Sequence, residues 1–169
     1  MNSRPYNVLF LCTANSARSV MAEALLNVLG GERFSAFSAG NFPTGTVQPV
    51  AAELARDFGY AGPLRSKSRD EFALPDSPPM DMVITVCDNA AGEVCPVWPG
   101  GPATAHWSIP DPAAASGSDN ERRRAFRSVW MMLRRRIELL LALPIDRLDR
   151  LTLQRAVREL GQAKPVDAR

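Results

Sequence analysis

Apolar and polar positions alternate along the chain in blocks that predict strands and helices in turn. Val8-Leu9-Phe10-Leu11 is a short apolar run of the kind that makes a buried strand. After a polar loop, Val20, Ala24, Leu25, Val28 and Leu29 recur at helical spacing over 19–29, and Gly30-Gly31 stops the run. Phe34 to Ala39 reads as a second strand ending in Ser38-Ala39-Gly40. Val50, Leu54 and Phe58 predict one face of a helix over 47–58, closed by Gly59. A short helix is expected over 66–72, and Pro75-Asp76-Ser77-Pro78-Pro79 is loop. Met82-Val83-Ile84-Thr85-Val86 predicts a third strand running into Cys87, and Thr104 to Trp107 a fourth. Phe126, Val129, Trp130, Leu133, Ile137, Leu140 and Leu141 trace the stripe of a long helix over 120–142. Leu153, Val157 and Leu160 mark a last helix over 147–160, with Gly161 as its cap and a frayed tail from Gln162. Strands alternating with helices imply an α/β fold, an open parallel sheet with helices on both faces.

Composition narrows the class. At 169 residues, 46% hydrophobic and 22% charged, the chain suits one domain with one core. A net charge of +2 is too small for a nucleic-acid footprint. The polar stretch before Val8 and the short apolar run after it do not read as a signal peptide, and no stretch is long enough to span a membrane. The expectation is a cytoplasmic monomer. Three cysteines there argue against a structural disulfide framework.

The chemistry concentrates in Cys12-Thr13-Ala14-Asn15-Ser16-Ala17-Arg18-Ser19, between the first strand and the first helix. Backbone N–H groups of 13–18 can converge on a tetrahedral oxyanion, helped by the following helix dipole. Arg18 can bind two oxygens with its planar fork. The same donors favour a nucleophilic Cys12 thiolate, and Ser19 can add a hydrogen bond. The bland alternative is a core cysteine and a surface arginine.

Placed between strand and helix, this wording resembles the low-molecular-weight tyrosine phosphatase superfamily, which includes arsenate reductases of the same fold. Two positions depart: Ala14 where many members have glycine, and Ala17 where many phosphatases have a second cysteine. The resemblance implies a phosphotyrosine phosphatase I-like, four-stranded sheet in the order 2-1-3-4. Cys12 and Cys87 then follow neighbouring strands, at the switch point where such sheets bind ligands. Parallel neighbours lie about 4.8 Å apart, so a small loop movement can join the two sulfurs.

Cys87-Asp88-Asn89-Ala90-Ala91-Gly92-Glu93-Val94-Cys95-Pro96 resembles the arsenate reductase branch, in which two such cysteines relay electrons from the nucleophile. An inert buried pair is the structural alternative; with His106, the two cysteines make a poor metal set. His106-Trp107-Ser108-Ile109-Pro110-Asp111-Pro112-Ala113 also resembles that branch, since phosphatases carry tyrosine where Ala113 stands. The resemblance makes Asp111 the general acid; a turn-shaping aspartate before proline is the ordinary alternative. His106 reads as a packed or hydrogen-bonded neighbour of Trp107, and Arg122-Arg123-Arg124, Arg127 and Arg134-Arg135-Arg136 as a solvated helix face. Some members bind potassium beside the anion loop through residues resembling Asn15, Glu23 and Ser38; here Lys67 replaces the remaining carboxylate, its ammonium standing in for the ion, and no metal is expected.

The implied function is arsenate reduction by a Cys12, Cys87 and Cys95 relay, with Arg18 and Asp111 assisting, the 13–19 segment binding arsenate, and phosphate or sulfate competing. Electrons come from thioredoxin, glutaredoxin or another thiol system, with no bound cofactor. Residual phosphatase activity is expected. The alternative is a phosphatase acting on phosphotyrosine or aryl phosphates through a phosphocysteine, and a third reading is an anion-sensing module without turnover. The catalytic domain is assigned to 1–143, and 144–169 to a C-terminal helical extension and tail, packed on the same domain or partly disordered.

Overall fold

The computed structural model describes residues 4–87 and 101–162. Strand β1 (Tyr6–Cys12) leads through the polar loop into α1 (Arg18–Leu29), and β2 (Phe34–Gly40) follows. Next come α2 (Pro49–Asp57), β3 (Met82–Thr85), β4 (Ala103–His106), α3 (Asp119–Leu141) and α4 (Arg150–Leu160). All pairings are parallel, in the order β2-β1-β3-β4.

Strand alternation divides the core. Val8, Phe10, Met82, Ile84, Ala103 and Ala105 share the larger cluster with α1, α3 and α4, while Leu9, Leu11 and Val83 pack beneath Phe37, Phe72 and Met80. Helix α1 is buried along most of its length, as an element in the centre of the fold must be. The α3 stripe is buried from Phe126 to Leu140, with Leu141 at its margin, and Ser118 caps the helix by accepting from the Glu121 N–H.

Two expectations shift locally. In α2 the fully buried positions are Ala51 and Ala55; Val50, Leu54 and Phe58 are half-buried at the edge, where Phe58 meets Trp130 edge-to-face with centroids 5.4 Å apart. Small residues are what allow α2 to lie close to its neighbours. In place of the helix expected over 66–72, only Arg69–Phe72 coils, as a 3₁₀ turn capped by Ser68. The residues before it stay extended because Ser68 bridges Gly40 at the sheet edge and the Gly40 N–H donates to Lys67 O at 2.9 Å.

Helix α4 buries Leu153 and Val157 against the outer edge of β4. The Gln154 Oε1 accepts the Thr104 N–H at 3.0 Å, and the Arg158 Nε donates to Thr104 O at 2.9 Å. The outward N–H and carbonyl of Thr104 on this edge strand are thus paired by helix side chains rather than left open to another chain.

Candidate functional site

The loop between β1 and α1 is turned inside out relative to an ordinary connection. Its carbonyls face outward, where the segment after β2 meets them. Asn41 N donates to Cys12 O (3.2 Å), Phe42 N to Thr13 O (2.8 Å), Thr44 N to Ala14 O (3.1 Å) and Gln48 N to Ser16 O (2.8 Å), while Ser66 Oγ donates to Ala14 O (3.0 Å). With the carbonyls held outside, the Asn15 N–H is directed inward, toward Cys12. Asn15 makes the bend at φ 50°, a left-handed conformation asparagine tolerates. Its N–H reaches the Cys12 Sγ at 3.2 Å. Ser19 Oγ lies 2.9 Å from the same sulfur and accepts from Asn15 Nδ2 at 2.7 Å. Because that amide donates to Ser19 Oγ, the serine proton is available for the Cys12 sulfur. Helix α1 starts at Arg18 with no side-chain cap. Its first N–H groups therefore face the loop, an arrangement suited to an anion.

Gly40 is what lets β2 approach the loop. A Cβ there would lie 2.7 Å from Thr13 O and 2.9 Å from the Asn15 Cβ. Gly40→Ala is therefore expected to lower stability by about 1–3 kcal/mol and to weaken oxyanion binding, read by thermal unfolding and by phosphate protection of Cys12 from alkylation.

Arg18 is almost fully buried and crosses to the loop after β4. Its Nη1 donates to Ile109 O at 3.1 Å, and its Nη2 stands 3.7 Å from the Asp111 carboxylate. Asp111 also accepts the Ala113 N–H at 3.0 Å, the turn-shaping role weighed for it, and is one-third exposed. One oxygen holds the turn while the other faces Arg18. Cys87 lies two residues past β3, and the intervening Val86 is seated on β1 by its N–H to Leu11 O at 2.8 Å. Cys12 and Cys87 are both buried thiols. Cys95 lies outside the described residues.

Beneath the loop lies a buried ion pair. Lys67 N donates to Asn15 Oδ1 at 2.8 Å, and its Nζ lies 3.7 Å from Glu23 Oε1 and 3.5 Å from Ser38 Oγ. Ser38 and Tyr60 also donate to the Glu23 carboxylate, at 2.5 and 3.3 Å. The Lys67 ammonium thus stands beside Glu23 and Ser38, while the backbone N–H of the same residue holds Asn15. Among the described residues no group of three or more His, Cys, Asp or Glu could hold a metal. Burial raises Glu23 above its ordinary value, against the pull of Lys67, Ser38 and Tyr60. Burial likewise lowers Lys67, against the charge of Glu23. A raised carboxyl means the folded state holds its proton more tightly than the unfolded chain. Stability from this group is therefore full below pH 4.5 and is lost as pH rises through the raised value. Urea unfolding between pH 4.5 and 7 is expected to show a falling slope that Glu23→Gln removes.

Other polar residues settle near the end of β4. His106 Nδ1 lies 2.7 Å from Thr85 Oγ1 on the neighbouring strand. Burial, then the charge of Arg136, pushes His106 below its ordinary value and keeps the ring neutral. Arg136 departs from the expected solvated face. It is 8% exposed, and its Nη1 donates to Ser108 O at 3.2 Å. The arginine run conceals this because only its third member turns toward the sheet.

The family model described as low molecular weight phosphotyrosine protein phosphatase matches residues 7–155. The chain belongs to that family. An arsenate reductase of Halalkalibacterium halodurans is 36% identical over 132 residues, covering 78% of this chain and 91% of the relative. An arsenate reductase of Bacillus subtilis is 32% identical over 122 residues, with 72% and 85% covered. The crystal structure of an arsenate reductase from Archaeoglobus fulgidus is similar at a TM-score of 0.60 and 30% identity, covering 78% of this chain and 98% of that one.

Residues that patterning did not single out complete the site. Gly40, the 41–48 segment and Ser66 shape the loop, and Arg136 holds Ser108. The signal available for Gly40 was its position at the end of a strand beside a loop that must approach closely; nothing local marked the others.

Proposed function

We propose that this chain reduces arsenate to arsenite, with Cys12 as nucleophile. Arsenate sits among the N–H groups of 13–19 and the guanidinium of Arg18. The Cys12 thiolate attacks arsenic, and Asp111 gives its proton to the departing oxygen, which leaves as water. The Cys87 thiolate then attacks Cys12 Sγ. A sulfur–sulfur bond forms, the arsenic–sulfur bond breaks, and its electron pair stays on arsenic, which departs as arsenite. Cys95 attacks Cys87 in turn, freeing the Cys12 thiolate and leaving a Cys87–Cys95 disulfide. A dithiol reductant, thioredoxin foremost, with glutaredoxin or another thiol system as alternatives, returns two electrons. The observation that carries this reading is a second buried thiol, Cys87, two residues past the strand that neighbours the one ending at Cys12. A phosphatase needs no such residue, since water resolves its intermediate.

Residual hydrolysis of aryl phosphates is expected from the same Cys12, Arg18 and Asp111, because phosphate and arsenate are close in size and charge. The test compares kcat/KM for thioredoxin-coupled arsenate reduction with kcat/KM for p-nitrophenyl phosphate. Reduction is expected to be the more efficient; a phosphatase efficiency far above it reverses the assignment. The site operates in the cytoplasm on this reading, with the reductant and the oxyanion as its partners.

A further inference from the structure

The loop that carries Asp111 is tied down at nearly every residue. Trp107 N donates to Thr85 O at 2.7 Å and Ile109 N to Cys87 O at 3.2 Å. Arg136 of α3 holds Ser108 O, and Arg18 of α1 holds Ile109 O. A fifth tether comes from α4. The Trp107 side chain is completely buried, and its indole Nε1 donates to Val157 O at 3.0 Å.

The end of α4 is shaped for this contact. In a regular helix the Val157 carbonyl would accept from the N–H four residues on, which belongs to Gly161. Here the Gly161 N–H turns to Arg158 O at 3.0 Å and the Gln162 N–H to Glu159 O at 3.0 Å, tightening the last turn to 3₁₀ spacing. The Val157 carbonyl accepts the indole N–H. Gly161 itself has φ −66°, which any residue adopts, so its glycine is not explained by backbone conformation. It is explained by proximity: a Cβ there would lie 2.4 Å from His106 O and 3.0 Å from Trp107 Cδ1. The helix terminus therefore rests directly on the root of the Asp111 loop.

We propose that the last turn of α4, through Gly161 and the Val157 carbonyl, positions Trp107 and hence Asp111 for proton donation. Trp107 and Gly161 are positioning residues: neither touches the oxyanion, and their effect passes through Asp111. This rests on the reading of Asp111 as general acid. The backbone of the 12–18 loop is held by 41–48 instead, and only the Arg18 side chain reaches the Asp111 loop, so a fault at the α4 terminus falls on protonation more than on oxyanion binding.

A double-mutant cycle on the full chain tests it, with single-turnover arsenite formation as the rate and arsenate protection of Cys12 from iodoacetamide as the binding measure. Gly161→Ala, which forces the helix end away, and Trp107→Phe, which keeps the ring but loses the N–H, are each expected to slow turnover about 10-fold, as a displacement of under 1 Å does. Arsenate protection should stay within a factor of two. In an Asp111→Asn background neither substitution should slow turnover further. Gln154→Ala loosens α4 from β4 at a distance from the loop; it is expected to lower the unfolding temperature without changing the rate. If Gly161→Ala or Trp107→Phe slows Asp111→Asn by the same factor as the parent, or if Gln154→Ala slows turnover as much as they do, the positioning role is overturned. If Asp111→Asn turns over as fast as the parent, the acid role itself fails, and this inference with it.

Discussion

Arg18→Lys is expected to lower kcat/KM for arsenate by two to three orders of magnitude, about the cost of losing a preorganised oxyanion donor. The charge is kept, so the loss isolates geometry. An ammonium cannot present two parallel N–H groups to one oxyanion. It also gives up the bond from Arg18 Nη1 to Ile109 O and the approach of Nη2 to Asp111. One side chain thus links the anion loop to the acid loop, and its removal affects both binding and protonation. Steady-state kinetics over a range of arsenate concentrations should show KM and kcat worsening together, whereas a pure binding role would move KM alone.

Cys87→Ser is expected to have the larger effect on net reaction and none on arsenate binding. Cys12 attack and water loss should proceed, but serine cannot accept the role of a resolving thiol. Arsenite release should fall by a factor of about 10³ or more, to whatever an external thiol supplies by attacking Cys12 directly. Quenched single-turnover reactions, scored for free arsenite, measure this. Arsenate should still protect Cys12 from iodoacetamide in the variant, because the donors to the anion belong to 13–19 and Arg18.

Much of this could be read from the residues. The apolar run before Cys12 could only be a buried strand, and Gly30 ended α1 as its position suggested. The α3 stripe was legible because seven apolar positions at helical spacing leave one face to bury. The sheet order came from family resemblance, since hydrophobic periodicity constrains which face a strand buries but not which strand lies beside it. Patterning failed where contacts depend on distance through space. Val50 and Leu54 looked like the buried face of α2, but Ala51 and Ala55 are, because close helix packing selects for small size rather than hydrophobicity. Arg136 looked like one of a solvated run, yet its reach to Ser108 O is set by where α3 crosses the sheet. Gly161 looked like an ordinary helix stop; the carbonyl of His106 standing 2.4 Å from its absent Cβ has no trace in the local sequence. Lys67 was expected beside Glu23 and Ser38, but nothing in the sequence showed that its backbone N–H also fixes Asn15.

The relay makes one demand that no other reading of the site makes: each arsenite released leaves one disulfide behind, in a defined place. The direct measurement is a single turnover of fully reduced protein with arsenate in the absence of any reductant, followed by acid quench, alkylation and mass mapping of the cysteines. The parent is expected to yield one arsenite per chain with Cys87 joined to Cys95 and Cys12 alkylated; Cys95→Ser is expected to stop with Cys12 joined to Cys87. Arsenite released with all three cysteines still open to alkylation would contradict the relay.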